Sequence, residues 1–215
     1  MKNRFDSHFF WGSYSPFSLL TGAALVILAS GRLAFAIICA AGLVWVYGIT
    51  ALIFIGARKI LPVSGKMLIL LFLSSFCCGI FMILLSLLNP LLILGTVFFL
   101  ILIPPCLVGS GLFDASLQVD LDDAFSRAIL EALALALVIV AFALIREPLG
   151  MGTLSFPGGA EGIIEIIGNT DNETFVPARI LSASAGGLLL FGYGISLFRY
   201  FRGRSHGGDY EEGSK

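Results

Sequence analysis

The sequence predicts an all-α integral membrane protein with six transmembrane helices, and three observations support that prediction. The 215-residue chain is 58% hydrophobic and 13% charged, whereas soluble proteins carry about 25% charge. Its apolar residues form long runs of the length that crosses a bilayer as a helix. Its cysteines lie inside those runs, which argues against a secreted disulfide framework with cysteines in loops; they are Cys39, Cys77, Cys78 and Cys106.

Six segments are apolar enough to span a bilayer, and we predict them at residues 16–30, 33–57, 67–88, 90–113, 125–145 and 179–199. The first is short, about 22 Å as a helix against a hydrocarbon core of about 30 Å. The fourth is interrupted by Pro104-Pro105, which remove backbone hydrogen bonds and are tolerated where protein or a lined cavity faces them. A short N-terminal segment, 1–15, and a polar tail, 201–215, flank a membrane domain at 16–200.

Lysine and arginine set the expected orientation, because they concentrate in the cytoplasmic loops of membrane proteins. With six spans and a cytoplasmic N-terminus, ten basic residues fall inside and three outside. The inner ten are Lys2, Arg4, Arg58, Lys59, Lys66, Arg127, Arg199, Arg202, Arg204 and Lys215, and the outer three are Arg32, Arg146 and Arg179. We therefore expect both termini in the cytoplasm.

The irregular spans are the first and the fourth, and each begins a group of three. Three is an odd number, so the second group would be upside down relative to the first. This pattern predicts an inverted 3+3 repeat with halves at 16–88 and 90–200, in which broken helices 1 and 4 carry the site near the midplane.

The fifth span ends in a charged pair, Arg146-Glu147, within the sequence AFALIREPLGMGTL. The C-terminal end of a helix carries partial negative charge, which favours the arginine. We expect Pro148 to end the helix, and Gly150 and Gly152 to let the chain reverse. Two roles stay open: the pair anchors this turn at the lipid–water boundary, or Glu147 lines an outer vestibule for cations.

The segment with Arg146, Glu147, Gly150 and Gly152 resembles the Arg-Glu-x-x-Gly-x-Gly segment that follows the fifth helix in one membrane protein family. This family comprises the six-helix D-type and E-type subunits of the sodium-translocating NADH:quinone reductase (Nqr) and the Rnf ferredoxin:NAD oxidoreductase. The likeness extends more loosely over residues 18–199. It implies a protein of the bacterial cytoplasmic (inner) membrane, paired with an oppositely oriented six-helix subunit among other subunits of a redox complex.

The resemblance also implies a mid-membrane [2Fe-2S] cluster held by two cysteines from each partner. Cys106 is similar in position to the family's fourth-helix cysteine, and it is the candidate cofactor-binding and metal-ligating residue. The first-helix cysteine has no counterpart in LLTGAAL, Leu19 to Leu25. Either a substitute ligand holds the cluster, or the chain is a divergent member without it, and Cys106 is then a packing residue.

Glu131 lies about one turn inside the fifth span. An acid within the hydrocarbon region costs a few kcal/mol unless it is paired or hydrated, and such residues are often functional. Arg127, four residues earlier, is placed to pair with it. A local salt bridge and a contact with an ion or partner both stay open.

The rest of the sequence lacks the motifs of several classes of enzyme and binding protein. It contains no P-loop, dinucleotide fingerprint or histidine cluster, and nothing indicates nucleic acid as a partner. Thr21 to Ala24 is similar to a covalent flavin attachment signal but lacks its final hydroxyl, so we expect no covalent flavin. We predict a non-autonomous subunit of an Rnf/Nqr-type complex that helps to pass electrons across the bilayer, coupled to Na⁺ or H⁺ movement. The alternative is a stand-alone secondary transporter or channel of the same fold without a redox group.

Overall fold

The structure is a computed structural model that describes residues 16–57, 65–109, 121–158, 162–167 and 179–206. The predicted N-terminal segment 1–15, the end of the polar tail and five of the basic residues assigned to the inner side lie outside the described residues. Those five are Lys2, Arg4, Arg58, Lys59 and Lys215.

The described residues are mostly helical. In chain order the helices are α1 (Pro16–Ala29), α2 (Leu33–Gly56), α3 (Lys66–Leu88), α4 (Pro90–Leu100), α5 (Ile103–Gly109), α6 (Leu121–Met151) and α7 (Ser184–His206). Each predicted span corresponds to one helical segment, with α4 and α5 together forming the fourth.

A small antiparallel hairpin lies between α6 and α7, formed by β1 (Leu154–Pro157) and β2 (Ile163–Ile167), and a 3₁₀ turn (Arg179–Ser182) precedes α7. This hairpin corrects the all-α expectation. Its strands are too short and too close to the glycine-rich segment to stand out from a turn by pattern alone.

Four of the described helical segments are long and apolar enough to cross a membrane: Leu33–Phe54, Lys66–Leu88, Pro90–Gly109 and Ala128–Met151. Two segments are shorter: α1 has 14 residues, and the apolar part of α7 is Ser184–Leu197. Large apolar side chains are exposed over much of the surface, Phe72 and Leu94 by 74% and 72%. A continuous apolar exterior of this kind requires a nonpolar surrounding or a partner.

The fourth segment is broken just before its two prolines. Pro104 and Pro105 have no N–H, so the carbonyls of Leu100 and Ile101 lose the donors they would have in a continuous helix. The chain turns at Ile101 and Leu102 and then restarts as α5. The prolines lie in the first turn of α5, where backbone N–H groups have no partner within the helix in any case.

The first segment is not broken. α1 is continuous from Pro16 to Ala29, which corrects the expectation that helix 1 is interrupted. Gly22 lies within it, and a Cβ at that position would meet no atom within 4 Å. α1 is short because the chain turns at residues 30–32 and re-enters as α2.

α2 is the central helix and packs most extensively against α6, and also against α3. Its buried face includes Leu43, Val46, Tyr47 and Ala51. The N-terminus of α2 lies beside the C-terminal part of α6, and the backbone N–H of Leu33 donates a hydrogen bond to the side chain of Glu147 there. This end of the bundle, where α1 and α6 end and α2, α4 and α7 begin beside the β-hairpin, is called the hairpin end below.

Candidate functional site

Arg146 is at the hairpin end, and its side chain is only 3% exposed. Its guanidinium donates five hydrogen bonds to two other segments of the chain. Nε donates to the carbonyl of Leu181 (2.8 Å), Nη1 to the carbonyl of Ile27 (2.5 Å) and to Oγ of Ser30 (3.0 Å), and Nη2 to the carbonyls of Ser182 and Ala183 (both 3.1 Å). We call these five bonds the Arg146 clasp.

Four of the five acceptors of the clasp are backbone carbonyls at the end of one helix or just before the start of another. Two of them have a second donor, since the Ile27 carbonyl also accepts from the Ser30 hydroxyl and the Ala183 carbonyl from the Gly187 N–H. The Ile27 carbonyl is in the last turn of α1, where carbonyls lack an N–H donor from the helix and carry partial negative charge. The other carbonyls belong to the 3₁₀ turn and to the residue that follows it. The planar guanidinium satisfies several acceptors at once, which a lysine ammonium does less well. Arg146 thus joins α6 to the end of α1 and to the start of α7.

Glycines make room for this arrangement. A Cβ on Gly187 would lie 2.8 Å from Cζ of Arg146, and one on Gly186 would overlap the carbonyl oxygen of Ile180. A Cβ on Gly150 would lie 2.9 Å from a backbone nitrogen of the 3₁₀ turn. These glycines therefore let the 3₁₀ turn pack closely against α6 and leave room for the Arg146 side chain beside the start of α7.

Glu147 caps the N-terminus of α2. Its Oε2 accepts a hydrogen bond from the backbone N–H of Leu33 (2.6 Å), and its Oε1 accepts one from the Thr153 hydroxyl (3.5 Å). Oγ of Ser155 accepts from the next N–H, that of Ala34, at 3.3 Å. A carboxylate at this place also complements the positive end of the helix dipole. Glu147 is 1% exposed, so its contacts are those of a helix cap and anchor.

The sequence predicted that Pro148 ends α6, and this prediction is wrong. The helix continues through Pro148 to Met151. The chain leaves the helix at Gly152, which has φ +67° and donates its N–H to the Pro148 carbonyl at 3.0 Å. A glycine in the left-handed region is a common helix terminator, because other residues are strained there.

A second charged pair lies at the rim of the hairpin end. Nη1 of Arg32 is 3.9 Å from Oε1 of Glu165, and both side chains are more than a third exposed. A pair of this kind contributes little to stability. It places the turn between α1 and α2 next to β2.

Glu131 lies in the first half of α6, away from the hairpin end. Its Oε2 is buried and has no hydrogen-bond partner in the described part of the chain. The predicted partner Arg127 is within α6, but its side chain lies outside what the structure describes. The salt bridge therefore stays a prediction.

All four cysteines are buried, and none forms a disulfide. Cys106 is in α5 and is 5% exposed. Cys39 of α2, Cys78 of α3 and Cys106 of α5 all belong to the same buried hydrophobic cluster. Among the residues that the structure describes, no group of three His, Cys, Asp or Glu side chains is arranged to hold a metal ion.

The Cys78 thiol has a partner that the sequence did not reveal. It donates to the carbonyl of Leu100 at 3.2 Å. That carbonyl lost its helical donor because Pro104 has no N–H. The two prolines predict carbonyls that lack a helical donor, so a side-chain donor from a neighbouring helix could have been expected. The sequence does not show which helix provides that donor.

The shared [2Fe-2S] cluster does not fit these residues. The resemblance requires two thiolates from this chain, one from helix 1 and one from helix 4. The corresponding part of α1 has small residues, Gly22 to Ala24, and Cys106 is packed with Leu107 in the apolar core. One thiol supplies half of the ligands required.

α1 and α5 contact each other. Gly22 and Cys106 therefore lie on two helices that are in contact, and the inverted repeat stays a prediction.

In comparisons with known proteins, no protein-family model matches the chain, and no curated protein matches it.

Proposed function

We propose that this chain is a membrane-embedded, non-autonomous subunit of an ion-translocating electron-transport complex of the Rnf/Nqr type, in the bacterial cytoplasmic membrane. The observation that carries the proposal is the segment from Arg146 to Gly152. Each residue that matches the family pattern there makes a specific contact or backbone turn, and together they join α1, α2 and the start of α7.

Length and surface support a membrane location. Four described segments are long enough to cross a bilayer, and the exposed side chains of α3 and α4 are large and apolar. They include Phe72, Phe76, Leu87, Leu88, Leu94 and Phe98. Lipid covers such a surface without the cost of exposing it to water.

The distribution of basic residues supports the proposed orientation. Lys66 begins α3 and Arg127 lies near the start of α6, both at the end of the bundle away from the hairpin, and the arginines of α7 lie in its last turns. The hairpin end carries Arg32, the clasped Arg146 and Arg179, which begins the 3₁₀ turn. By the positive-inside rule the hairpin end faces outward, which leaves both termini in the cytoplasm.

The packing of α7 supports a role as one subunit among several. Beyond its first turns, α7 exposes Leu188, Leu189, Tyr193 and Leu197 by more than half. It touches the rest of the chain mainly through the 3₁₀ turn and α1. An oppositely oriented six-helix partner would pack against such a helix, and we propose that the redox groups belong to partner subunits, because the cluster ligands here are incomplete.

The test is purification of tagged chain from native membranes in mild detergent. We expect flavin-containing and iron–sulfur subunits to co-purify, with oxidoreductase activity towards NADH or NAD. Iron and acid-labile sulfide should be equal in the wild-type complex and in Cys106→Ala, since this thiol lacks the second ligand. A chain that purifies alone, without flavin or iron, would contradict the proposal.

A second function is favoured by one observation, the unpartnered carboxyl oxygen of Glu131 inside an apolar helix. It supports a stand-alone secondary transporter or channel of the inverted-repeat type. Reconstituted chain alone would then move Na⁺ or H⁺ across vesicles, and Glu131→Gln would abolish that flux while the exposed Glu165→Gln would not.

A further inference from the structure

Two buried side-chain oxygens in the described residues have no hydrogen-bond partner: Oγ1 of Thr50 and Oε2 of Glu131. Thr50 is 0% exposed. Two other buried helical hydroxyls, those of Ser74 and Thr96, behave differently, because each donates to a carbonyl about one turn earlier. Ser74 donates to Leu71 and Thr96 to Leu92, at 3.0 and 2.9 Å.

These two oxygens lie at the same level of the bundle. The bond between Leu33 and Glu147 sets the register of the antiparallel helices α2 and α6. Thr50 is 17 residues beyond Leu33, and Glu131 is 16 residues before Glu147. At about 1.5 Å per residue both lie roughly 25 Å from the hairpin end.

They also lie on the same side of the contact between the two helices. An open apolar groove of about 740 Å³ runs along the other side and is lined by Gly48 of α2 and Leu133 of α6, among others. Thr50 and Glu131 are each two residues from these lining positions. At about 100° per residue they point about 160° away from the groove, and Thr50 is 0% exposed there.

We propose that Thr50 and Glu131 bind one small monovalent cation, of the size and hardness of sodium, between α2 and α6. Hydroxyl and carboxylate oxygens are the ligands that hard cations prefer. An ionised carboxylate inside an apolar bundle needs a compensating charge. A single positive charge neutralises Glu131, whereas a divalent ion would leave an uncompensated charge in the same apolar surroundings.

This site deepens the proposed ion-translocating role by naming where the ion is held. It does not depend on a redox complex, because binding is measured on the isolated full-length chain. Absence of co-purifying subunits would count against the proposed function and would not affect the proposed cation site. Absence of cation binding would count against the cation site and would not affect the proposed function.

The experiment measures thermal unfolding of the purified chain in detergent, in sodium, lithium, potassium or choline chloride at equal ionic strength. At sodium concentrations about tenfold above Kd, we expect the wild-type midpoint to exceed that in choline by about 3–6 °C. Thr50→Val and Glu131→Gln should lose this shift. Thr50→Ser, which retains a hydroxyl, and Glu165→Gln, at an exposed position, should keep it.

Binding of radioactive sodium to the same samples is the second measurement, because it remains informative if a variant unfolds easily. Wild-type chain should bind sodium, and Glu131→Gln should not. Equal wild-type midpoints in all four salts, or binding that persists in Glu131→Gln, would overturn the proposal. Sodium binding that arises only in Arg127→Gln would also overturn it, by identifying Arg127 as the counter-charge.

Discussion

The Arg146 clasp gives the most quantitative prediction. Arg146→Met keeps an unbranched apolar side chain and removes all five donors. Two of the lost bonds, to the Ile27 carbonyl and the Ser30 hydroxyl, are buried, and the other three are partly buried. The Ile27 carbonyl keeps the Ser30 hydroxyl as a donor at 3.2 Å, and the Ala183 carbonyl keeps the N–H of Gly187 at 3.1 Å. The cost of the substitution is therefore that of five lost hydrogen bonds and not that of orphaned acceptors.

Each lost hydrogen bond costs about 0.5–1.5 kcal/mol net. The total loss is therefore about 4 kcal/mol. A chain of this size shifts by about 2–4 °C for each kcal/mol, which predicts a midpoint lower by about 8–16 °C. Arg146→Lys should lose roughly half as much, because the ammonium retains the charge but not the planar fork.

The assay is thermal unfolding of purified protein in detergent, followed by tryptophan fluorescence. Leu144→Met is the matched control, because Leu144 is on the same helix but is 46% exposed, and its midpoint should stay within about 2 °C of wild type. If Arg146→Met unfolds at the wild-type temperature, the clasp does not stabilise the fold, and the role assigned to Arg146 is wrong.

Substitutions at three further positions, with Gly192→Ala as a control, can be measured in the same way. Gly186→Ala should destabilise strongly, because its Cβ overlaps a backbone oxygen, whereas Gly192→Ala, with open space around it, should be neutral or stabilise by up to about 1 kcal/mol. Glu147→Gln keeps an acceptor for Leu33 but loses the charge at the start of α2, so we expect a loss of about 1 kcal/mol; a gain would contradict the cap. Cys78→Ala should cost about 1 kcal/mol by removing the donor to the broken segment, and Cys78→Ser should recover most of it.

The helical content could be predicted from sequence because it depends on local quantities. Runs of about 20 apolar residues define helices wherever they occur, and the six predicted spans match six helical segments. The break in the fourth span could be anticipated from Pro104-Pro105 but was expected at the prolines. It occurs two residues earlier, because a proline lacks the N–H that would bond to the carbonyl four residues before it. The helix is therefore interrupted on the N-terminal side of the proline.

The contacts of the candidate site could not be predicted, since they join residues far apart in the chain. Arg146 and Glu147 were visible as charges at a helix end, but Ile27 and Leu33 offer backbone groups, which leave no mark in a sequence. The part of Ser155 as a second cap was missed for the same reason. Gly186 and Gly187 are small residues of the kind that permits close packing, but nothing in the sequence shows that an arginine lies beside Gly187.

The bonds of the clasp also cannot all form at the same stage of synthesis, because they join residues that are far apart in the chain. Arg146 bonds to Ile27, which is synthesised 119 residues earlier, and to the carbonyls of 181–183, which follow it by 35 to 37 residues. Until residues 181–183 have been synthesised, the guanidinium can bond only to its acceptors Ile27 and Ser30. A nascent chain arrested before α7 should remain sensitive to membrane quality-control proteases, and release of the last helix is the step that closes the bundle.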